Sequence, residues 1–186
     1  MNESKRAVLD KLVDGRLNLR CANYGFQYSD IMLALFCVYL CGGDHIEDIT
    51  TILNKYLSTA PNARIPSSDT IARGLKELRA LSIAYTSKTG SIYAHDPALK
   101  LNSLLLDMTQ LLGLLKRGQG IDVDFDNEFI PAEKSDALYS YKKKRGYFPG
   151  VMTSGPLIIG LENRQGNSNV KFEQVEELTR MLDNIE

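Results

Sequence analysis

Three aspartates alternate with three apolar residues in the segment IDVDFD, residues 121–126, and this alternation restricts the fold more than any other feature of the chain. In an extended strand, alternate side chains lie on one face, so Asp122, Asp124 and Asp126 are expected to point the same way. Neighbouring carboxylates repel, and one or more must be protonated or neutralised by a cation. A hard divalent ion such as Mg2+, which takes oxygen ligands, is one such partner. The alternative is a solvated face of an edge strand, and the spacing alone leaves both readings open.

The composition is that of an ordinary globular protein. The 186 residues are 44% hydrophobic and 24% charged, enough for one or two domains with a core. No N-terminal apolar run resembles a signal peptide, and the longest apolar stretch, residues 31–41, is too short to cross a bilayer. Three cysteines without framework spacing indicate a reducing compartment. We therefore expect a cytoplasmic protein with no membrane association.

Helical periodicity dominates the first part of the chain. A first helix is predicted over residues 4–13, with Gly15 as its stop. A second is predicted to begin with Ser29 as its N-cap and to end at Gly42-Gly43. Between them, residues 18–26 are predicted to be irregular or a short strand.

Two further helices are predicted from their capping residues. Asp44 and Glu47 resemble a capping box that opens a helix continuing to about Tyr56. Ser67 or Ser68 is expected to cap the next helix, which runs to about residue 78. The polar loop between these helices is about ten residues long, whereas a helix-turn-helix motif turns in about 3–4 residues.

The last of these helices has the layout of a DNA-recognition helix. Arg73 and Lys76 lie three residues apart and share a face. Ser68 and Thr70 stand at the start of the helix, where hydroxyls and amides meet phosphates or base edges in such motifs. The alternative is a helical bundle without DNA contacts.

A β-hairpin and a leucine-rich helix are predicted next. Residues 83–96 alternate weakly around a turn at Lys88-Thr89-Gly90, and Pro97 is expected in the first turn of the following helix. An apolar stripe is expected to face the core from this helix. It consists of Leu101, Leu104, Leu105, Met108, Leu111, Leu112 and Leu115.

The acidic strand is expected to lie at the centre of a sheet and to contain residues 121–129. Residues 145–153 and 157–161 are predicted to form two more strands, joined by a turn at 154–156. A closing helix is predicted over residues 172–182, with Val175, Leu178 and Leu182 facing the core.

Several motifs together resemble one protein family. The run DFDNEFIPAEKSDALYSYKKKRGYFPG (124–150), followed by ENRQGNSNVKF (162–172), resembles the first part of the catalytic core of bacterial insertion-sequence transposases of the DDE type. The segments YLCGGDHIEDI (39–49) and IPSSDTIARGLKEL (65–78) resemble the N-terminal region of the same family. The resemblance implies a ribonuclease-H-like fold and two-metal phosphoryl transfer with Mg2+ or Mn2+.

The resemblance also assigns roles to residues. It places the family's first catalytic, metal-binding Asp at Asp126, with Asp124 as the alternative, one pleat away. The family's second Asp and final Glu lie downstream of Glu186, so this chain is expected not to cut DNA by itself. Four consecutive cations are expected to face the DNA backbone, with a solvated loop as the alternative. They are Lys142, Lys143, Lys144 and Arg145.

The expected architecture is therefore α+β with two domains. Residues 1–118 form a helical, helix-turn-helix-like region that binds double-stranded DNA at insertion-sequence ends, and residues 119–186 form the first strands of an incomplete ribonuclease-H-like mixed sheet. The charge distribution agrees weakly with this division: residues 1–120 carry 14 Lys and Arg against 11 Asp and Glu, and residues 121–186 carry 8 against 12. Self-association through an open sheet edge is also expected. The alternatives are a DNA-binding module or repressor without catalysis, and an unrelated structural or interaction protein.

Overall fold

The computed structural model describes residues 3–20, 25–59, 64–79, 83–116, 118–183 and 185, and within them the chain is a mixed α+β protein with six α-helices, a π-helical turn and antiparallel sheets. Contacts divide it into two compact units, residues 1–79 and 80–186. From the sequence, the domain boundary was predicted at residue 118. By contacts, the predicted hairpin and leucine-rich helix belong with the acidic strand rather than with the preceding helices.

The first unit is helical. Its elements are α1 (Glu3–Leu17), α2 (Tyr28–Leu40), a π-helical turn (Ile49–Leu53) that continues as α3 (Asn54–Leu57), and α4 (Ser68–Glu77). Helix α2 contacts α1, the π-helical turn and α4. Its buried residues Ile31 and Val38 are fully enclosed, and Gly74 of α4 lies so close to Ile31 that a Cβ there would overlap the isoleucine side chain.

Two predicted helix ends in this unit were wrong. Helix α1 continues through Gly15 to Leu17, because Val13 and Leu17 are buried and this burial outweighs the cost of about 1 kcal/mol for a helical glycine. Helix α2 begins one residue before Ser29. The amide and hydroxyl of Ser29 instead donate to the carboxylate of Asp14 in α1, at 3.0 Å each.

The predicted capping box at Asp44 and Glu47 was also wrong. The carboxylate of Asp48 accepts hydrogen bonds from the amides of Asp44 and His45, at 3.2 Å each, and the π-helical turn follows it. By contrast, Ser67 is confirmed as the N-cap of α4, where its hydroxyl oxygen accepts from the amide of Thr70.

The second unit contains two antiparallel sheets. Its elements are β1 (Ile83–Thr86), β2 (Ile92–Asp96), α5 (Leu99–Leu111), β3 (Asp124–Asn127), β4 (Ile130–Pro131), β5 (Leu138–Tyr139), β6 (Arg145–Tyr147), β7 (Gly150–Ser154), β8 (Leu157–Arg164) and α6 (Gln174–Asp183). The larger sheet has the order β1-β2-β8-β7-β3, and the smaller has the order β4-β6-β5. The hairpin β1–β2 is as predicted.

The acidic strand was predicted at the centre of a sheet, and this was wrong for the described residues. Strand β3 is shorter than residues 121–129 and lies at the edge, paired only with β7, with Asp126 opposite Val151. The single strand predicted over 145–153 is two strands in different sheets, because Pro149 has no N–H to continue the ladder. Strand β8 extends beyond residue 161 to Arg164.

The core of this unit lies between the larger sheet and helices. Leu106 of α5, Met152 of β7, Ile159 of β8 and Met181 of α6 are buried together, and the apolar side of the acidic segment packs against them. Gly160 lets α6 approach β8, since a Cβ at this position would lie 2.9 Å from Met181 Sδ.

The inward faces of both helices in this unit differ in part from prediction. Leu104, Leu115 and Leu178 face the core as predicted. In α5 and its C-cap, however, Leu101, Leu111 and Leu112 are exposed, and Asn102, Leu106 and Thr109 are buried. In α6, Val175 is 73% exposed and Leu182 44% exposed, whereas Glu177 and Met181 are buried. In both helices a polar side chain contacts the sheet. The face that packs inward is therefore not the most apolar face of the helix.

Candidate functional site

The acidic strand presents its carboxylates on one exposed face, as predicted. Asp122, Asp124 and Asp126 are exposed, whereas the intervening Val123 and Phe125 pack against the core. Asp126 Oδ1 also accepts a hydrogen bond of 2.8 Å from the backbone amide of Asn127. The remaining oxygens of these side chains are hard donors of the kind that Mg2+ takes.

These three carboxylates do not converge on one point. Among the described residues, only two sets of three potential ligands bring their atoms within 4.8 Å of one another, and the acidic strand contributes to neither. The carboxylate oxygens of Asp124 and Asp126 are therefore suitable ligands for Mg2+ or Mn2+. Each residue alone supplies only part of a coordination shell. A complete site needs further ligands on the exposed side of β3.

Helix α4 presents the predicted basic face. Arg73 and Lys76 are exposed, on the side opposite the buried Ile71 and Gly74. The start of the helix is more constrained than the sequence indicated. The amide of Ser68 donates to Thr50 Oγ1 at 3.3 Å, and the hydroxyl of Thr70 lies 3.0 Å from that of Ser67.

An ion pair joins α4 to the segment before α2. Arg20 donates from Nε and Nη2 to the two carboxylate oxygens of Glu77, at 2.7 Å each, and from Nη1 to the carbonyl of Phe26. The hydrogen bonds from Arg20 are the main reason that the pKa of Glu77 lies below its ordinary value and that the pKa of Arg20 is raised. This pair fixes the orientation of α4 within its own unit.

The basic segment 142–145 forms the turn between β5 and β6 and the start of β6. All four cations are exposed, and the Lys142 ammonium lies 5.6 Å and 5.8 Å from the ring centroids of Phe129 and Phe148. Tyr141 stacks on Phe148, with ring centroids 5.5 Å apart, and is 77% exposed. A surface of cations beside an exposed aromatic ring suits a nucleic-acid backbone.

A buried ionic cluster, which we call the β2–β8–α6 cluster, consists of His95, Glu162, Arg164 and Glu177. Arg164 is fully buried and binds Glu162 in a bidentate manner, with Nε–Oε1 2.6 Å and Nη2–Oε2 2.9 Å. Its Nη1 donates to the carbonyls of Phe172 (2.5 Å) and Asn169 (3.4 Å). His95 Nε2 lies 3.5 Å from Glu177 Oε2, which also accepts from Arg180.

The sequence interpretation missed this cluster. It assigned no role to Glu162 or Glu177, and both are buried. One signal was available: Glu162 and Arg164 are two apart in a strand, so they share a face and can pair. His95 carried no comparable signal, because its cross-strand position opposite Arg164 follows from the pairing of β2 with β8.

The second set of potential ligands lies before the π-helical turn and consists of Asp44, His45 and Asp48. His45 and Asp44 are exposed, with Nδ1–Oδ1 2.5 Å, and the hydrogen bond that Asp44 accepts from His45 is the main cause of a raised pKa of His45. One oxygen of Asp48 already accepts two backbone amides. Local turn geometry accounts for this set without an ion.

The chain matches no protein-family model, and no curated protein or solved structure is significantly similar to it. Among the described residues, no helix combines the length and the apolar character needed to cross a membrane.

Proposed function

We propose that this chain binds double-stranded DNA as the N-terminal part of a DDE transposase and contributes the first metal-binding aspartate of the catalytic site. In the cell it acts in the cytoplasm on nucleoid DNA, at the ends of an insertion sequence. The finer fold assignment, a helix-turn-helix-like unit followed by the first strands of a ribonuclease-H-like sheet, is part of the same proposal.

One observation carries the proposal. Strands β3, β7 and β8 follow one another as an antiparallel meander, and the acidic strand is the first of them, with its carboxylates exposed. The other edge of β3 is unpaired among the described residues, so a further strand can add beside Asp126 and bring more ligands to it. This arrangement supports a metal site built around the first strand of a larger sheet.

The chemistry expected of the complete site is phosphoryl transfer. Mg2+ or Mn2+, when bound, activates the attacking oxygen and stabilises the leaving oxygen of a phosphodiester. Asp126 contributes a ligand oxygen, and Asp124, on the same face, is the alternative or additional one. Because the carboxylates of β3 do not converge, this chain alone holds such ions weakly and does not cut DNA.

The DNA contacts are assigned to two surfaces. The first is the exposed face of α4 with Arg73 and Lys76, together with Ser68 and Thr70 at its start. The second is the basic turn formed by residues 142–145. Both surfaces are supported by exposed cations, and a phosphate bound there releases counterions, which makes the affinity depend on salt.

Binding is tested by fluorescence anisotropy with labelled duplex DNA at increasing salt. The affinity should fall as salt rises. The double variant Arg73→Ala/Lys76→Ala should weaken binding about tenfold or more and reduce the salt slope by about 2, since each phosphate contact contributes about one unit. The matched control is Lys100→Ala/Lys116→Ala, which removes two exposed lysines elsewhere. Affinity that is independent of salt, or equal for both double variants, contradicts the assignment of α4.

Catalysis is tested with supercoiled plasmid and Mg2+ or Mn2+, comparing the chain with Asp126→Ala. We expect no nicking above background from either protein. Nicking that disappears in Asp126→Ala would show that a second copy or other residues complete the site.

A second candidate function is a DNA-binding module or repressor without catalysis. The non-converging carboxylates of the acidic strand favour it for this chain taken alone. It is tested by the binding assay above and by chemical modification of carboxylates: it predicts specific binding to duplex DNA and no Mg2+-dependent protection of Asp126.

A further inference from the structure

The β2–β8–α6 cluster contains an unusual concentration of unpartnered buried atoms. Six buried side-chain atoms in the described residues have no hydrogen-bond partner, and three of them belong to this cluster: His95 Nδ1, His95 Nε2 and Glu177 Oε1. The side chains of His95 and Glu177 are each only 1% exposed. A buried polar group without a partner is destabilising, so native structures normally give it one.

The geometry of the cluster suits a single ion. His95, Glu162 and Glu177 each offer one ligand atom, and these atoms all lie within 4.8 Å of one another. Ligand atoms around a tetrahedral ion with bonds of about 2.0–2.2 Å are separated by about 3.3–3.6 Å. The distance of 3.5 Å from His95 Nε2 to Glu177 Oε2 falls in that range.

We propose that His95, Glu162 and Glu177 bind a divalent transition-metal ion, with Zn2+ as the expected occupant. An imidazole nitrogen beside two carboxylates favours Zn2+ and similar ions over Mg2+, which prefers oxygen ligands and retains water. The site is structural, because all three ligand residues are buried. The ion joins β2, β8 and α6, which carry one ligand each.

Arg164 acts as the partner that orients one of the ligands. It bonds both oxygens of Glu162, and Asn127 Nδ2 also donates to Oε1 at 3.5 Å, so of about four lone-pair sites one remains for the ion. Carboxylates that bind metals are commonly held by such outer hydrogen bonds. The two carboxylates offset the charge of the ion, and the charge of Arg164 is stabilised by the carbonyls of Phe172 and Asn169.

The competing interpretation is a metal-free cluster, in which Arg164 pairs with Glu162 and His95 contacts Glu177 directly. It predicts no metal in the protein.

The test begins with the metal content of the full chain, purified without chelators and measured by inductively coupled plasma mass spectrometry. We expect about one equivalent of Zn2+ per chain. After removal of the metal with EDTA, adding Zn2+ to about a hundredfold excess over Kd should raise Tm by about 5–10 °C. Less than about one tenth of an equivalent, together with an unchanged Tm, overturns the proposal and leaves the metal-free cluster.

Variants locate the site. His95→Gln and Glu177→Gln should each abolish the stoichiometric metal and the Tm rise. His45→Gln, which removes the other histidine of the chain, and Glu176→Gln, an exposed neighbour on α6, should keep both. Loss of the metal in His45→Gln but not in His95→Gln would place the ion at the Asp44–His45–Asp48 turn and overturn the assignment.

If His95→Gln and Glu177→Gln do not fold, the variant His95→Cys tests the site through a spectroscopic signal that it gains. Co2+ bound in place of Zn2+ gives visible absorption, and His95→Cys should add a thiolate-to-cobalt band that the unmodified chain lacks. The unmodified chain also serves as the control for the native cysteines. A folded His95→Cys protein whose Co2+ spectrum matches that of the unmodified chain contradicts ligation at position 95.

Discussion

The two units of the chain use charge in different ways. In residues 1–79 at least one partner of each described ion pair is exposed: Glu77, bonded to Arg20, is 38% exposed, and Arg6 and Arg64, which pair with the buried Asp30, are 34% and 55% exposed. In residues 80–186 a bidentate pair, Arg164 and Glu162, is fully buried between a sheet and a helix. The difference indicates that the ion pairs of the first unit keep contact with water through one partner, whereas Arg164 and Glu162 in the second unit depend on each other for charge compensation.

The strongest test of this contrast is the removal of one buried charge. Arg164→Met should destabilise the second unit by about 3–5 kcal/mol, because Glu162 is left as an unpaired buried carboxylate. The measurement is urea unfolding in EDTA. Arg145→Met, at an exposed arginine of β6, should change stability by no more than about 0.5 kcal/mol. Adding Glu162→Gln to Arg164→Met should recover part of the loss, and a double variant no more stable than the single one would count against the pairing.

The contribution of apolar packing to the stability of the first unit is tested in α2. Ile31→Ala removes a fully buried side chain and should cost about 3 kcal/mol, from lost burial and the cavity left beside Gly74. Hydrogen exchange should show the loss at the amides of α1, α2 and α4. Phe36→Ala, at a 57% exposed position on the same helix, is the matched control and should have little effect. Equal effects of the two variants would contradict an apolar core around α2.

The smallest expected effect concerns the exposed pair. The pKa of Glu77 is lowered in the folded state, so its pair with Arg20 contributes stability above the ordinary glutamate value of 4.5 and loses it as the pH falls through the lowered pKa. Because Glu77 is partly exposed, Glu77→Gln should cost at most about 1 kcal/mol near pH 7 and almost nothing below the lowered pKa. Urea unfolding at a series of pH values from 7 downward measures this difference. Glu47→Gln, at an exposed glutamate, should show no such pH dependence.

The sequence by itself determined the elements with strong local signals. The alternation of aspartate and apolar residues specified the two faces of β3, because side-chain direction in a strand depends only on position. The serine cap of α4 and the glycines after α2 likewise act within a few residues of the helix ends. The turn at Lys88-Thr89-Gly90 brought β1 and β2 together for the same reason.

Only the tertiary structure decided which residues became buried partners. Helix α5 turns Asn102 inward because its side chain bonds both the amide (2.9 Å) and the carbonyl (2.7 Å) of Leu161, where β2 no longer pairs with β8. Glu177 is buried although its neighbours in sequence suit a surface helix, because His95 and Arg180 lie beside it. Such contacts join residues far apart in the chain, and local periodicity carries no information about them. The two faces of β3 therefore follow from the local pattern, whereas its place at the sheet edge and the ionic cluster follow from strand pairing and the packing of α6.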